Sequence, residues 1–221
     1  MRSLPIILLV ALFYNCSQKS LPYENGPAMS RKDIKETFQP IVQFMDYKPG
    51  MSFADVGAGS GALTVMMASL MDSSVVYIQD IDTAVLKKSN VDKMIDYFSK
   101  QGGRDLRRAN EFHTIIGGVD HTNLPDGAFD RIYSNATIHN FTAIDSMMVD
   151  LGRKLKPGGL IFFRDSFKDD HNEGAYCSDP KCGRPLLTID QFLAVMNRNG
   201  FEMRKRAPDM SGYPVFGFSK R

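Results

Sequence analysis

The sequence lacks a charge excess of either sign. Its 27 basic and 25 acidic side chains leave a formal net charge of +2. No lysine- or arginine-rich block stands out, and the short basic stretches "GRDLRR" and "MRKR" read as solvated faces. The electrostatic footprint of a nucleic-acid partner is therefore missing. Internal repeats, low-complexity tracts and heptad runs are missing as well, which removes the solenoid and coiled-coil classes. What is present is a chain of 221 residues, 43% of them hydrophobic. That is enough for one good core, so one folded domain is the expectation.

Long apolar runs and cysteines are also scarce, and both occur together at the N-terminus. "MRSLPIILLVALFYNCSQKS" has a positive charge at Arg2, a mainly apolar run over 4–14 and then Cys16. Spanning a bilayer takes about 20 apolar residues, so this run is too short for an ordinary transmembrane helix. Its length suits the apolar region of a signal peptide. With Cys16 directly behind it and the polar "SQKS" following, the segment resembles a bacterial lipoprotein signal. Residues 1–15 would be removed, Cys16 lipidated, and the protein held at the cell envelope by a lipid anchor. A plain export signal, an uncleaved anchor, or an apolar N-terminal helix of a cytosolic protein are the alternatives. Residues 16–33, with Pro22, Gly26 and Pro27, read as a tether.

From residue 34 the pattern alternates. Ile34, Phe38, Ile41, Val42 and Met45 have helical spacing. Strands are expected at 51–56, 75–79, 112–116, 131–134 and 160–164. Helices are expected at 62–70, 83–100 (with Thr83 as N-cap), 143–155 and 188–199, and "KPGG" at 156–159 reads as a turn. Strands at 201–206 and 215–219 have a short link between them and predict an antiparallel pair at one edge. Strands alternating with helices give an α/β fold, a parallel sheet covered on both faces.

The functional signal is "DVGAGSG", residues 55–61, at the end of the first strand. In such a sheet the ligand sits beyond the carboxyl ends of the strands, so this turn faces the site. Glycines let the backbone turn sharply and approach a ligand without a Cβ in the way. The run fits the dinucleotide fingerprint and also a tighter nucleoside-holding loop. Asp80 ends the second strand, where a carboxylate accepts hydrogen bonds from ribose hydroxyls in either case. Asp82 is the alternative acceptor, though its place early in the next helix suits a dipole-facing charge. Asp55, two residues before Gly57, separates the two readings. A carboxylate at that strand end is poised for an ammonium group.

"GGVDHTNLPDGAFDRIYSNATIHNF" and "LKPGGLIFFRDSF" follow in order. With these the chain, over about residues 34–221, resembles the class I S-adenosylmethionine (SAM)-dependent methyltransferases. The resemblance implies a Rossmann-like, seven-stranded, mostly parallel sheet with an antiparallel strand near one edge. It implies SAM as cofactor and a small-molecule acceptor. Asp55, Gly57, Gly59 and Gly61 would line the methionine end and Asp80 the ribose. Asp120 would accept the adenine amino group, and Asn135 would border the methyl-transfer chamber. The usual acid directly after the third strand's glycine is displaced, since Gly118-Val119 precede Asp120.

His139 is the best-placed candidate base, if the acceptor must lose a proton. A histidine that shapes the pocket is the alternative, and His113 and His121 read as structural. The polar stretch 169–188 is long enough to cover a substrate. Cys177 and Cys182 within it would form a disulfide in an exported protein. Three zinc ligands with His171, or two free thiols, are the other options, while Asp170 and Glu173 read as solvated charges. Two further functions remain open: a non-catalytic SAM- or nucleoside-binding envelope module, and an NAD-dependent oxidoreductase. Oligomeric state is not legible.

Overall fold

A computed structural model describes residues 29–168, 183–210 and 212–221. Cys16, the 1–15 signal, most of the tether, and His171, Cys177 and Cys182 lie outside the described residues. The element order is α1 (Arg31–Phe44), β1 (Ser52–Val56), α2 (Ala62–Ala68), β2 (Ser74–Asp80), α3 (Lys88–Gly102), α4 (Leu106–Ala109), β3 (Asn110–Ile116), β4 (Phe129–Asn135), a 3-10 turn (Ile138–Asn140), α5 (Ile144–Lys154), β5 (Leu155–Arg164), α6 (Ile189–Arg198), β6 (Phe201–Ala207) and β7 (Val215–Lys220).

The seven strands form one sheet in the order β3-β2-β1-β4-β5-β7-β6. All neighbouring pairs from β3 to β5 are parallel, and β7 runs antiparallel to both β5 and β6. The expected mostly parallel sheet with an antiparallel pair at one edge is therefore the observed one. Side chains alternate across it, so each face has its own core. Phe53, Val76 and Ile78 pack with α1, α2 and α3 on one face. Ala54, Val56, Ile132 and Phe163 pack with α5 and α6 on the other. Among the described residues, no helix is long and apolar enough to cross a membrane.

The chain runs outward from β1 through β2 to β3, then returns to place β4 on the other side of β1. The connections after β1 and β4 diverge there, opening a crevice at the carboxyl ends.

Four local expectations are corrected. Helix α1 starts at Arg31, where Ser30 and Asp33 make a reciprocal capping box; residues 31–33 are thus helix rather than tether. Helix α3 starts at Lys88, and Thr83 is not its cap. The Asp82 carboxylate instead accepts the Ala84 N–H at 2.8 Å, holding a separate turn. The short helix α4 was not foreseen, although Asp105 caps it by accepting from Arg107 and Arg108 N–H. "KPGG" lies inside β5, where pairing with β4 shifts register between Phe129 and Arg131. These four residues have no partner on β4 and Gly158 takes a φ of 77°, so they bulge from the strand before pairing resumes at Leu160.

Candidate active site

The loop after β1 is built around three left-handed glycines. Gly57, Gly59 and Gly61 have φ of 74°, 57° and 82°, a region that side chains with a Cβ rarely enter. Their surroundings differ. A Cβ on Gly61 would stand 2.9 Å from Ile78 Cγ2 and 3.3 Å from Val91 Cγ2, so this glycine seats α2 against β2 and α3. A Cβ on Gly57 would fall on the Thr137 side chain, whereas among the described residues nothing lies within 4 Å of one on Gly59. Gly59 is the position that leaves room for a ligand. The loop is pinned at three points. Gly57 and Ala58 N–H donate to the Gln79 carbonyl at 3.0 and 2.9 Å. Gly59 N–H donates to Asp80 Oδ2 at 2.7 Å. Thr137 Oγ1 donates to the Gly57 carbonyl at 3.2 Å, joining the loops after β1 and β4.

A cavity of about 450 Å³ opens beside this loop. Gly57, Gly59, Asp80 and Ile81 wall it on one side, Gly118 and Val119 on another, and Thr137, Asn140 and Phe141 on a third. Asp80 reaches it with both oxygens partly committed, Oδ2 to Gly59 and Oδ1 to the Asp82 N–H at 2.9 Å. Each carboxylate oxygen keeps a second lone pair, so ribose hydroxyls still find acceptors there. Ile81 and Val119 are apolar yet 50% and 57% exposed among the described residues.

Asp55 lies behind the loop and not on the cavity wall. It is 2% exposed. Thr64 Oγ1 donates to its Oδ2 at 2.6 Å, while Oδ1 is buried with no hydrogen-bond partner. Burial pushes its carboxyl up to about 7; the Thr64 hydrogen bond opposes this and the nearby Asp80 charge adds to it. A cation near the unpartnered Oδ1 would favour the ionised form of this carboxyl.

Of the expected site residues, the structure brings Gly57, Gly59 and Asp80 onto the wall and sets Asp55 and Gly61 directly behind it. It does not bring Asp120 there. The Asp120 side chain is 56% exposed and lies 2.6 Å from His121 Nδ1. The post-β3 backbone turns so that Gly118 and Val119 take the wall instead. Asn135 is on the α1 face of β4, accepting from Arg164 Nη1 at 2.7 Å and Tyr133 Oη at 3.3 Å, and also stays off the wall.

His139 is placed differently from expectation. Had the chain after Asn135 continued as a helix, the two side chains would share a face. Instead Ala136 takes a positive φ of 53°, and only a 3-10 turn follows. The His139 side chain is 5% exposed, with Nδ1 3.0 Å from Asp165 Oδ1. Asp165 also accepts the Ile138 N–H at 2.7 Å and the Ser166 N–H at 2.7 Å. His139 thus stands behind Asn140 and Phe141, as a support joining the loops after β4 and β5. Sequence reading missed Thr137 and Gln79 as wall residues. For Gln79 a signal existed, a polar side chain inside the otherwise buried run "VVYIQD".

The profile of the family described as "Methyltransferase domain" matches residues 54–163. The phosphoethanolamine N-methyltransferase of Triticum aestivum is 27% identical over 168 residues, covering 76% of this chain and 28% of that protein. The chain therefore spans under a third of the length of that curated relative. Among solved structures, the [4+2]-cyclase SpnF superposes with a TM-score of 0.63 at 15% identity, covering 90% of this chain and 86% of that one. A SAM-dependent methyltransferase from Aquifex aeolicus gives 0.59 at 17% identity, covering 86% and 97%. At such identities the structural likeness speaks for the fold alone. Domain match, glycine loop and sheet order together identify this chain as having the class I S-adenosylmethionine-dependent methyltransferase fold, with its methyltransferase domain over residues 54–163.

Proposed function

We propose that this protein binds SAM in the cavity beside the Gly57–Gly61 loop and transfers its methyl group to a small-molecule acceptor. The observation that carries this reading is the Asp80 carboxylate, held on the cavity wall by Gly59 N–H at 2.7 Å beside an open Gly59. SAM supplies a methyl group on a sulfonium, a leaving group already activated, so the chain's own task is orientation and exclusion of water. Asp80 takes the ribose hydroxyls. The bare backbone at Gly59 admits the ligand, and Ile81, Val119, Phe141 and Met147 close apolar surface around it.

Among the described wall residues the only carboxylate, Asp80, is engaged with the loop, and no histidine, cysteine or lysine is present. The acceptor best suited to such a wall arrives already deprotonated, or loses its proton to water after transfer. The same observation favours a second reading, a SAM- or nucleoside-binding module without turnover. Calorimetry of the full chain with SAM, S-adenosylhomocysteine and NAD tests the first step. The two sulfur nucleosides should bind and NAD should not; binding of NAD alone would overturn the cofactor assignment. Binding of both nucleosides without methyl transfer to amine, hydroxyl, thiol or carboxylate acceptors would decide for the second reading.

For location, the proposal is a lipid-anchored or exported protein, supported by the 4–14 apolar run and Cys16. Cys16→Ser should abolish incorporation of labelled fatty acid and move the protein from the membrane to the soluble fraction. Equal partitioning of both forms with an uncleaved N-terminus would remove that proposal. An exported enzyme also needs SAM, or a related nucleoside, in its compartment.

A further inference from the structure

Gln79 is a polar side chain that the fold does not use. It is 1% exposed, it lines the cavity, and its Nε2 is buried without a hydrogen-bond partner. An amide in that position costs free energy unless something pairs with it. Its surroundings fix which end faces inward. A Cβ on Gly117 would collide with Gln79 Nε2, and would stand 2.8 and 3.0 Å from the carbonyl oxygens of His121 and Thr122. The amine end therefore lies over Gly117, on the side of these carbonyls but without a hydrogen bond to either. Gln79 lines the cavity and Nε2 alone of its two polar atoms is both fully buried and unpartnered, so Oε1 is the atom left for a ligand as an acceptor.

The position along the sheet says which part of a ligand meets it. The order β3-β2-β1-β4 puts the glycine loop at β1 and the Asp80 carboxylate at the end of β2. Gln79 projects from β2 on the opposite face of the strand from Asp80, against Gly117 at the end of β3. A nucleoside whose ribose is held at Asp80 and whose sulfur end lies over the loop has its base at this β2–β3 corner. Ile81 and Val119, half exposed there, offer apolar surface to the flat faces of such a ring. An acceptor at this corner suits adenine because the base edge carries an exocyclic amino donor.

Resting on the SAM reading, we propose that Gln79 is the base-selecting residue of this cavity. Its Oε1 accepts the exocyclic amino hydrogen of adenine, the role the sequence had offered to Asp120. Hypoxanthine presents a carbonyl oxygen in place of that amine, so acceptor would face acceptor. A site built to hydrogen-bond one group rejects the analogue lacking it more strongly than an apolar pocket does.

The test is calorimetric binding of S-adenosylhomocysteine and S-inosylhomocysteine to the full chain. The wild type should prefer the adenine compound by about tenfold or more. Gln79→Met should bring the two affinities to within about threefold, chiefly by weakening the adenine compound. Asp120→Ala should leave the preference intact. Equal weakening of both ligands in Gln79→Met, or loss of preference in Asp120→Ala, would overturn the assignment. If Gln79→Met does not fold, Asp120→Ala still decides, because loss of preference there contradicts the proposal. Failure of the wild type to bind either compound removes the cofactor reading beneath it, a result distinct from all of these.

Discussion

Asp80→Ala is expected to weaken SAM binding by one to two decades, an effect of about 1.5–3 kcal/mol. Two losses combine in this substitution. The ribose hydroxyls lose a charged acceptor, and the loop loses its tie, because Asp80 Oδ2 holds Gly59 N–H at 2.7 Å and Oδ1 holds Asp82 N–H at 2.9 Å. With the carboxylate gone, the Gly59 N–H is unpaired and the left-handed loop has one anchor fewer. Asp82→Ala should change affinity by less than about threefold, since Asp82 only accepts the Ala84 N–H of its own turn. Titration of both variants with S-adenosylhomocysteine checks the ranking. A larger loss for Asp82 would mean that ribose recognition is not at the end of β2.

The second large effect is in pH. Burial raises the Asp55 carboxyl to about 7 from an ordinary value near 4. Between those values the folded protein holds a proton that the unfolded chain has released. The unfolded state binds fewer protons, so stability falls as pH rises through this window and levels off above about 7. The full loss is on the order of 4 kcal/mol. A cationic ligand reverses the preference, because its charge favours the ionised carboxylate whose Oδ1 is otherwise unpartnered. SAM binding below pH 7 therefore expels a proton, and affinity should fall up to about tenfold for each pH unit below 7. Calorimetry in two buffers of different ionisation enthalpy counts that proton. Asp55→Asn should flatten the dependence and make the ligand-free protein more stable than wild type at pH 8. Wild-type binding that is flat from pH 5.5 to 8 would separate Asp55 from the ligand.

Most of the architecture is legible in the residues themselves. Strands such as "SFADV" are buried on both faces, and only a central strand of a covered parallel sheet explains that. The glycine run and Asp80 are legible for a related reason, since a loop that must hug a ligand tolerates few residue types. Local chemistry decided these, and the structure keeps them.

What the sequence by itself determined was thus the parallel α/β sheet, the loop after β1 and the acid after β2, all set by short-range patterns. Only the tertiary structure decided which side chains behind the strand ends reach the cavity. The positive φ of Ala136 sends His139 onto Asp165 and gives the wall to Asn140 and Phe141. The turn after β3 leaves Asp120 outside and gives the wall to Gly118 and Val119. Gln79 reaches the cavity because Gly117, a distant neighbour in sequence, leaves room for its amide. Side-chain direction at a strand end depends on single backbone torsions and on what the adjacent strand places beside it. Neither is written in the periodicity of the strand itself.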